Sequence, residues 1–274
     1  MDFSIIIVNY NSGLLLRECI QSILSALNNV SYEIIVVDNM SSDSSFSDCN
    51  DILDKHLILI QSGDNLGFSK ANNIGAKHAS GRILHFLNPD TRISQSLEVD
   101  YRNVLNDYLK NNHNVYVNPL QDRDGTVYYG DNPLPDAMNL IKHYICRKKA
   151  KLYYIGASII IPSDDFNRIG GWNEKIFMYG EDADLFYRIN KDRLKIKELP
   201  SIIYHYGGGS SNKAFTNMER EILIQKSLRI YFQSNHLSWF NYCLYQIIVL
   251  LPFIKRPQRI WWQIKAIYNS FTHL

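Results

Sequence analysis

The stretch Ser4-Ile5-Ile6-Ile7-Val8 decides the fold class. Its apolar residues follow one another without polar residues in between, which is typical of a strand buried on both faces of a parallel sheet. The run ends at the polar Asn9-Tyr10-Asn11, and apolar residues then recur at helical spacing between Leu14 and Leu27. Strand, polar loop and helix in this order predict a βα unit.

The same unit repeats along the first third of the chain. Apolar runs at residues 33–37, 57–60 and 83–87 predict three more strands, and residues 69–79 predict a helix before the last of them. A further run at residues 156–162 predicts a later buried strand. These elements predict an α/β protein with a Rossmann-like, mostly parallel sheet flanked by helices.

Polar side chains follow the ends of the predicted strands. In open parallel sheets, ligands bind outside the carboxyl ends of the strands, so we expect these side chains to lie together. Amides and carboxylates suit a ribose, a base and a cation, which favours a nucleotide-type ligand, although turns also select Asn and Asp for their backbone geometry. The residues concerned are Asn9, Asn11, Asp38, Asn39, Asn65, Asn72, Asn88 and Asp90.

A second informative stretch is Phe177-Met178-Tyr179-Gly180-Glu181-Asp182-Ala183-Asp184-Leu185. It places three carboxylates among apolar and aromatic residues, where a charge without partners is costly to bury. This pattern indicates a functional site. The alternative is a helix N-terminus, where acidic side chains are favoured by the helix dipole.

The composition describes an ordinary globular chain. Of its 274 residues, 46% are hydrophobic and 20% charged, and the net charge of +2 gives no signal for a nucleic-acid partner. The four scattered cysteines have no zinc-binding spacing and are interpreted as free thiols in a reducing compartment. Because the N-terminus lacks the basic and apolar regions of a signal peptide, a cytoplasmic location is expected.

The C-terminal residues 215–274 predict a separate helical region. Helices are expected at about residues 215–232 and 239–254, but Pro252 interrupts the apolar run well short of the roughly 20 residues that span a bilayer. Basic residues beside Trp261 and Trp262 predict helices lying in a membrane interface. Packing on the protein core, or contact with a second copy of the chain, is the alternative. The basic residues are Lys255, Arg256, Arg259 and Lys265.

The polar strand ends and the acidic stretch belong to one ordered set of motifs. They are Ile7-Val8-Asn9-Tyr10-Asn11, Val36-Val37-Asp38-Asn39, Asn65-Leu66-Gly67-Phe68 with Ala71-Asn72, Leu87-Asn88-Pro89-Asp90-Thr91, Gly156-Ala157, Gly170-Gly171-Trp172, residues 178–185 and His205. The set covers roughly residues 3–211. It resembles the inverting family 2 glycosyltransferases of the GT-A fold, especially the branch that includes bacterial rhamnosyltransferases of O-antigen, capsule and cell-wall assembly.

This resemblance implies a role for each group of residues. The nucleotide-sugar donor would be bound by Val8, Asn9, Tyr10, Asn11, Asp38, Asn39, Asn65, Gly67, Phe68, Asn72 and Asn88. A divalent metal, Mn²⁺ or Mg²⁺, would be held by Asp90 and His205. Asp182 would be the catalytic base, with Trp172, Glu181 and Asp184 supporting it or contacting the acceptor.

Two motifs depart from the family pattern. The usual D-x-D sequence is Asn88-Pro89-Asp90 here, as is common in this branch, so one metal-binding carboxylate is replaced by an amide. The family's Gly-Gly-Phe-Asp-Glu is Gly170-Gly171-Trp172-Asn173-Glu174, which leaves the role of Asn173 open.

The resemblance implies an inverting transfer of rhamnose from dTDP-rhamnose to a lipid-linked saccharide, in a cytoplasmic protein on the inner face of the membrane. Residues 1–214 would form the glycosyltransferase domain, with residues 1–92 binding the nucleotide and residues 93–214 carrying the acceptor and catalytic groups. A UDP-sugar donor and a non-catalytic saccharide-binding protein are the alternatives. A dehydrogenase is disfavoured because no G-x-G-x-x-G follows the first strand, and the Gly- and Arg-rich loop of nucleotidyltransferases is also missing there.

Overall fold

The computed structural model describes residues 1–207 and 215–272. Within them, the predicted α/β class is confirmed. The strands are β1 (Phe3–Asn9), β2 (Tyr32–Asp38), β3 (Leu57–Gln61), β4 (Ile83–Leu87), β5 (Thr91–Arg92), β6 (Asn114–Val117), β7 (Leu120–Gln121), β8 (Val127–Tyr128), β9 (Asp131–Pro133), β10 (Leu152–Tyr154), β11 (Ser158–Pro162), β12 (Lys195–Glu198) and β13 (Ile203–His205). The helices are α1 (Leu14–Ala26), α2 (Phe68–His78), α3 (Ser96–Leu109), α4 (Ala137–Leu140), α5 (Ser163–Arg168), α6 (Glu181–Lys191), α7 (Asn217–Ser234), α8 (Trp239–Leu250) and α9 (Pro257–Thr272).

The central sheet has seven strands in the order β12-β6-β11-β4-β1-β2-β3. The strands β4, β1, β2 and β3 are parallel to one another, whereas β11 is antiparallel to both of its neighbours. All seven residues of β1 are buried, which explains its unbroken apolar sequence. β3 lies at the edge of the sheet and is only half-buried.

Helices cover both faces of this sheet. Since successive strand residues point to opposite faces, one strand contributes side chains to the cores on both sides. Ile5 and Ile7 pack with residues of α1 and α3 in one hydrophobic core. Ile6 packs on the other face, in a core that contains Leu185 and Phe186 of α6. The result is a three-layer arrangement in which the carboxyl ends of β1, β2 and β4 remain uncovered by these helices.

The middle of the chain contains short strands that the sequence pattern does not reveal. One exception is the run Gln121-Asp122-Arg123-Asp124-Gly125-Thr126-Val127, which predicts a hairpin turn and connects the antiparallel strands β7 and β8. These two strands join β5 and β13 in a second sheet of four strands, and β9 pairs with β10 in a separate ribbon. Strands of two or three residues are too short to show a hydrophobic period, so they escape sequence analysis.

The C-terminal helices pack partly on α6. A capping box between Thr216 and Glu219 starts α7, and Tyr231 and Phe232 of this helix pack with Ala183 of α6. The helix expected at residues 239–254 ends at Leu250, followed by a short 3-10 turn that contains the interrupting proline. Over residues 1–207 and 215–272, no helix is long and apolar enough to cross a membrane.

Two further expectations concern the cysteines and the glycine-rich segment. All four cysteines are free, as expected from their spacing. The run Gly207-Gly208-Gly209-Ser210-Ser211 after β13 predicts a close bend of the backbone, but residues 208–211 lie outside the described part of the chain.

Candidate active site

A cleft of about 550 Å³ opens at the carboxyl ends of β1 and β4. It lies between these strand ends, the acidic stretch that leads into α6, and the helices α7 and α8. The cleft therefore brings together residues as distant in the sequence as Val8 and Gln263. Ten of the residues predicted to form the site line it: Val8, Tyr10, Asn39, Asn65, Phe68, Asn88, Asp90, Glu181, Asp182 and His205.

Three predicted donor-binding residues, Asn9, Asn11 and Asp38, are not among the residues that line the cleft. The Asn9 side chain is fully buried, and its Nδ2 donates to Oδ1 of Asp38 at 2.8 Å and to Ser41 and Ser45. Asn11 adopts a left-handed conformation (φ 51°), and its Oδ1 accepts hydrogen bonds from backbone amides of the loop after β2. These hydrogen bonds hold the strand-end loops in place, and donor binding by these residues stays a prediction.

The loop before α2 is fixed by contact with the acidic stretch. The Phe68 amide donates to the Phe177 carbonyl oxygen at 2.9 Å. Gly67 has a φ of 82°, and a Cβ at this position would lie 2.5 Å from the same oxygen, so only glycine fits. Asn39 donates to Oδ1 of Asn65 at 2.9 Å, whereas Asn72 bonds only within its helix, to the Phe68 carbonyl.

Trp172, Asn173 and Asp184 lie behind the wall of the cleft. Trp172 packs edge-on against Phe68 and Phe86 and is not among the residues that line the cleft, so its position fits a supporting role. Asp184 is fully buried, where it is paired with Arg188 at 2.8 Å. Asn173 donates to Oδ1 of Asp184 at 3.2 Å. A direct acceptor contact by Asp184, one of the roles that the sequence left open, is therefore excluded by its burial.

Asp90 and His205 meet on the floor of the cleft. The Nε2 atom of His205 lies 3.4 Å from Oδ1 of Asp90, and each residue is 8% exposed. Two buried polar atoms nearby, Oδ1 of Asn88 and Nδ1 of His205, have no hydrogen-bond partner among the described residues.

These residues fit one side of a divalent-metal site. Over the described ranges, no group of three or more His, Cys, Asp and Glu side chains could hold a metal by itself. Mg²⁺ and similar ions are commonly bound by one or two protein groups together with substrate phosphates and water. A carboxylate, an imidazole and an unpaired amide oxygen match that pattern.

Asp182 and Glu181 form the first turn of α6, on the opposite wall of the cleft. Gly180, with a φ of 103°, makes the turn that presents them. Burial raises the pKa of Asp182 to about 6, although an amide hydrogen bond from Ala183 at 2.8 Å partly opposes this shift. Burial, together with the neighbouring Asp182 charge, raises the pKa of Glu181 as well. Perturbed carboxylates in a cleft are typical of acid and base groups.

The model of one protein family matches residues 4–167, more than half of the chain, and is described as glycosyl transferase family 2. The chain belongs to this family. A second model, described as the N-terminal domain of galactosyltransferase, matches residues 141–207. The predicted family and the predicted class of enzyme, a glycosyltransferase, are thereby confirmed.

Two curated relatives of this family 2 glycosyltransferase are named for glycan synthesis. The low-salt glycan biosynthesis hexosyltransferase Agl10 of Haloferax volcanii is 29% identical over 207 residues, which are 71% of this chain and 64% of that protein. The minor teichoic acid biosynthesis protein GgaB of Bacillus subtilis is 30% identical over 212 residues, 75% of this chain and 23% of that protein. The match spans less than two thirds of either relative.

Solved structures confirm the predicted GT-A fold of this family 2 member. S. aureus TarS 1-349 in complex with UDP-GlcNAc has a TM-score of 0.64 at 17% identity, covering 98% of this chain and 80% of that one. The mannosyltransferase PcManGT of Pyrobaculum calidifontis, in complex with GDP-Man and Mn²⁺, has a TM-score of 0.59 at 15% identity, covering 99% of this chain and 75% of that one.

The family motifs do not include the part of the cleft that α7 and α8 build. Sequence analysis interpreted these helices as an appended region, yet their polar and aromatic residues face the acidic carboxylates. The available signal was the occurrence of Tyr and Gln at helical spacing within otherwise apolar segments. The cleft residues missed in this way are Glu221, Gln225, Tyr231, Tyr245 and Gln246.

Proposed function

We propose that this protein is an inverting glycosyltransferase that moves a sugar from a nucleotide diphosphate to a hydroxyl group of a saccharide. One observation carries the proposal: Asp182, with its raised pKa, and the Asp90–His205 pair face the same cleft. The donor would lie along the strand ends, near Tyr10 and Asn39. Two similar proteins support this class of reaction. Agl10 is named as a hexosyltransferase, and the TarS structure is a complex with UDP-GlcNAc.

In the proposed reaction, Asp182 takes the proton of the acceptor hydroxyl as its oxygen attacks the anomeric carbon of the donor. The bond between that carbon and the phosphate oxygen breaks, and its electron pair leaves with the nucleotide diphosphate. A single displacement inverts the anomeric centre and needs one base and no covalent intermediate. A metal held by Asp90 and His205 would supply positive charge to the departing diphosphate.

For the donor, we propose dTDP-rhamnose first and a UDP-sugar as the second candidate, and for the acceptor a lipid-linked saccharide of surface-glycan synthesis. The UDP-sugar candidate is favoured by the structural likeness to TarS with UDP-GlcNAc. The relative named for teichoic acid synthesis supports a surface glycan as the product.

A thermal-shift screen of dTDP-, UDP- and GDP-sugars with Mn²⁺ tests the donor class. A ligand that binds only the folded state raises stability by RT ln(1 + [L]/Kd), so the true donor raises Tm most. Stabilisation by UDP-sugars alone would reject dTDP-rhamnose. If no donor raises Tm and none releases its nucleotide diphosphate, the chain is a binding protein and the proposed activity is wrong.

Replacing Asp90 with asparagine is expected to raise the Mn²⁺ concentration for half-maximal activity about tenfold or more, the equivalent of about 1.4 kcal/mol. The reason is that the substitution removes a carboxylate charge from a site that contains few protein ligands. Titration of activity with Mn²⁺ measures the effect. Asp64→Asn, at an exposed loop position outside the cleft, is the matched control. An unchanged Mn²⁺ dependence for Asp90→Asn would reject the metal site.

The pH dependence of activity is expected to follow Asp182. As a base, this carboxylate works only when it is unprotonated, and its pKa is raised from 3.8 to about 6. The value of kcat/KM should therefore be half-maximal at about pH 6, level off roughly one pH unit above it and fall below it. Initial rates between about pH 3 and pH 8, at saturating Mn²⁺, measure the profile. If kcat/KM instead falls with a midpoint near pH 3.8, a carboxylate with a raised pKa does not control the rate.

We further propose that residues 215–274 act as a membrane-associating region on the inner face of the cell membrane. Phe240, Ile254 and Trp261 are exposed, and so are the cations Lys255 and Arg259, which lie close to Ile254 and Trp261 in the sequence. Apolar and basic groups side by side favour an interface with anionic lipid. Sedimentation with vesicles that contain or lack phosphatidylglycerol tests this, and equal recovery in the supernatant with both would reject it.

A further inference from the structure

The end of the cleft beyond Asp182 is built by the C-terminal helices. Its walls combine the acidic turn of α6 with one side of α7 and α8, including Tyr231 from the second half of α7. Ser227 of α7 donates to the Met178 carbonyl oxygen at 2.9 Å, so the helix is joined directly to the acidic stretch. This hydrogen bond therefore fixes α7 against the acidic stretch at this end of the cleft.

Three polar atoms at this end have no hydrogen-bond partner among the described residues. They are the hydroxyls of Tyr179 and Tyr231 and the Oε2 atom of Glu181. Tyr231 is 1% exposed, and burial raises the pKa of its hydroxyl, which stays protonated and able to donate. A buried polar group without a partner costs about 1–3 kcal/mol. Three such groups around one cavity indicate a ligand that is rich in hydroxyl groups.

The position of the Tyr231 ring is fixed by its neighbours. The ring packs edge-on against Tyr187 and Phe232, with centroids 5.6 and 5.5 Å away. Asn235, one turn further along α7, donates to Oδ1 of Asp184 at 2.9 Å and so ties this part of the helix to α6. The hydroxyl is consequently held in a constant position relative to the first turn of α6.

Charge and shape narrow the class of ligand. Three acidic side chains line the cleft here, those of Glu181, Asp182 and Glu221. The raised pKa of Glu181 favours its neutral form, so Asp182 and Glu221 supply the negative potential that opposes an anionic ligand. Apolar side chains of Ile224 and Leu228 lie among them and offer a surface for the C–H face of a sugar ring.

We propose that this end of the cleft is a subsite for an uncharged sugar ring of the acceptor, with Tyr231 as a positioning residue that donates a hydrogen bond to one of its hydroxyls. The proposal rests on the proposed function, because it makes Asp182 the base for that ring. It assigns α7 and α8 a direct part in choosing the acceptor.

Binding of methyl glycosides to the full chain, measured by saturation-transfer NMR with diamagnetic Mg²⁺ and dTDP or UDP present, tests the subsite. The uncharged probes are the methyl β-glycosides of glucose, galactose and N-acetylglucosamine, and the charged probe is methyl β-glucuronide. We expect at least one uncharged probe to bind, with Tyr231→Phe weakening it about 3- to 10-fold through loss of one hydrogen bond. The glucuronide should bind more weakly than the glucoside.

Tyr242→Phe is the matched control, because Tyr242 packs in the same aromatic cluster but does not line the cleft. The subsite is overturned if no uncharged probe binds, if the glucuronide binds as well as the glucoside, or if both variants have the same effect. Release of nucleotide diphosphate by the unaltered protein is measured separately. Release without probe binding rejects the subsite alone, whereas probe binding that depends on Tyr231, without release from any donor, rejects the transferase activity alone.

Discussion

Asp182→Asn is expected to lower kcat by about 100-fold or more, because a positioned base contributes roughly 10²- to 10⁴-fold to a proton transfer. The amide has nearly the same shape as the carboxylate, and its oxygen can still accept the hydrogen bond from the Ala183 amide. The first turn of α6 should therefore keep its conformation. Only the proton acceptor is lost, so donor affinity should remain within about twofold of the original.

The measurement compares kcat from acceptor-dependent release of nucleotide diphosphate with the donor Kd from calorimetry. Asp164→Asn is the control, since Asp164 also lies in the first turn of a helix but is exposed and outside the cleft. It should leave both quantities unchanged. Near-normal turnover in Asp182→Asn would reject this residue as the base, and loss of donor binding would indicate a role in binding instead.

Asp184→Ala is expected to reduce the free energy of unfolding by about 3 kcal/mol or more. Asp184 is fully buried, and its carboxylate accepts from Arg188, Asn173 and Asn235. Removing it leaves the Arg188 charge without its counter-charge inside the protein. Arg188 also donates to the carbonyl oxygens of Ile169 and Gly171, so the loop that carries Trp172 should loosen as well.

Urea unfolding, monitored by tryptophan fluorescence, measures this loss. Asp192→Ala removes a carboxylate that pairs with Arg168 at the surface, and exposed pairs of this kind contribute little to stability. Asp192→Ala should therefore lower the free energy of unfolding far less than Asp184→Ala does. Equal losses of unfolding free energy in the two variants would show that the buried Asp184–Arg188 pair contributes no more to stability than an exposed pair.

The parallel half of the fold is predictable because its strands are buried on both faces. Residues 83–87 were predicted as a strand and form β4, and the predicted strand at residues 33–37 falls one residue short of β2 at each end. The second sheet was not predicted, because the pairing of strands as short as β5 with β13 depends on distant parts of the chain. Local pattern carries no information on such pairs.

The candidate site was predictable at the level of strand ends but not of side chains. Asp90, Asp182 and His205 were each expected at a site, and the fold brings all three to one cleft. Asn9 and Asp38 were expected at the site for the same reason, because each ends a strand. Their side chains instead hydrogen-bond to each other in the interior. Alternate residues of a strand point to opposite sides, so a motif identifies the strand end and not which side chain faces the ligand. Tyr231 was missed because its place depends on how α7 packs against α6.

The close contact between Gly67 and Phe177 limits how this enzyme could be recombined with its relatives. Residue 67 lies in the half proposed to bind the nucleotide and residue 177 in the half proposed to carry the catalytic groups, and their backbones meet with no space for one more carbon atom. A chimera could take its donor half from another family member and its acceptor half from this chain. The two surfaces that meet at this contact would then not have complementary shapes. Exchange of donor preference would therefore require residues 65–68 and 177–180 to be transplanted together.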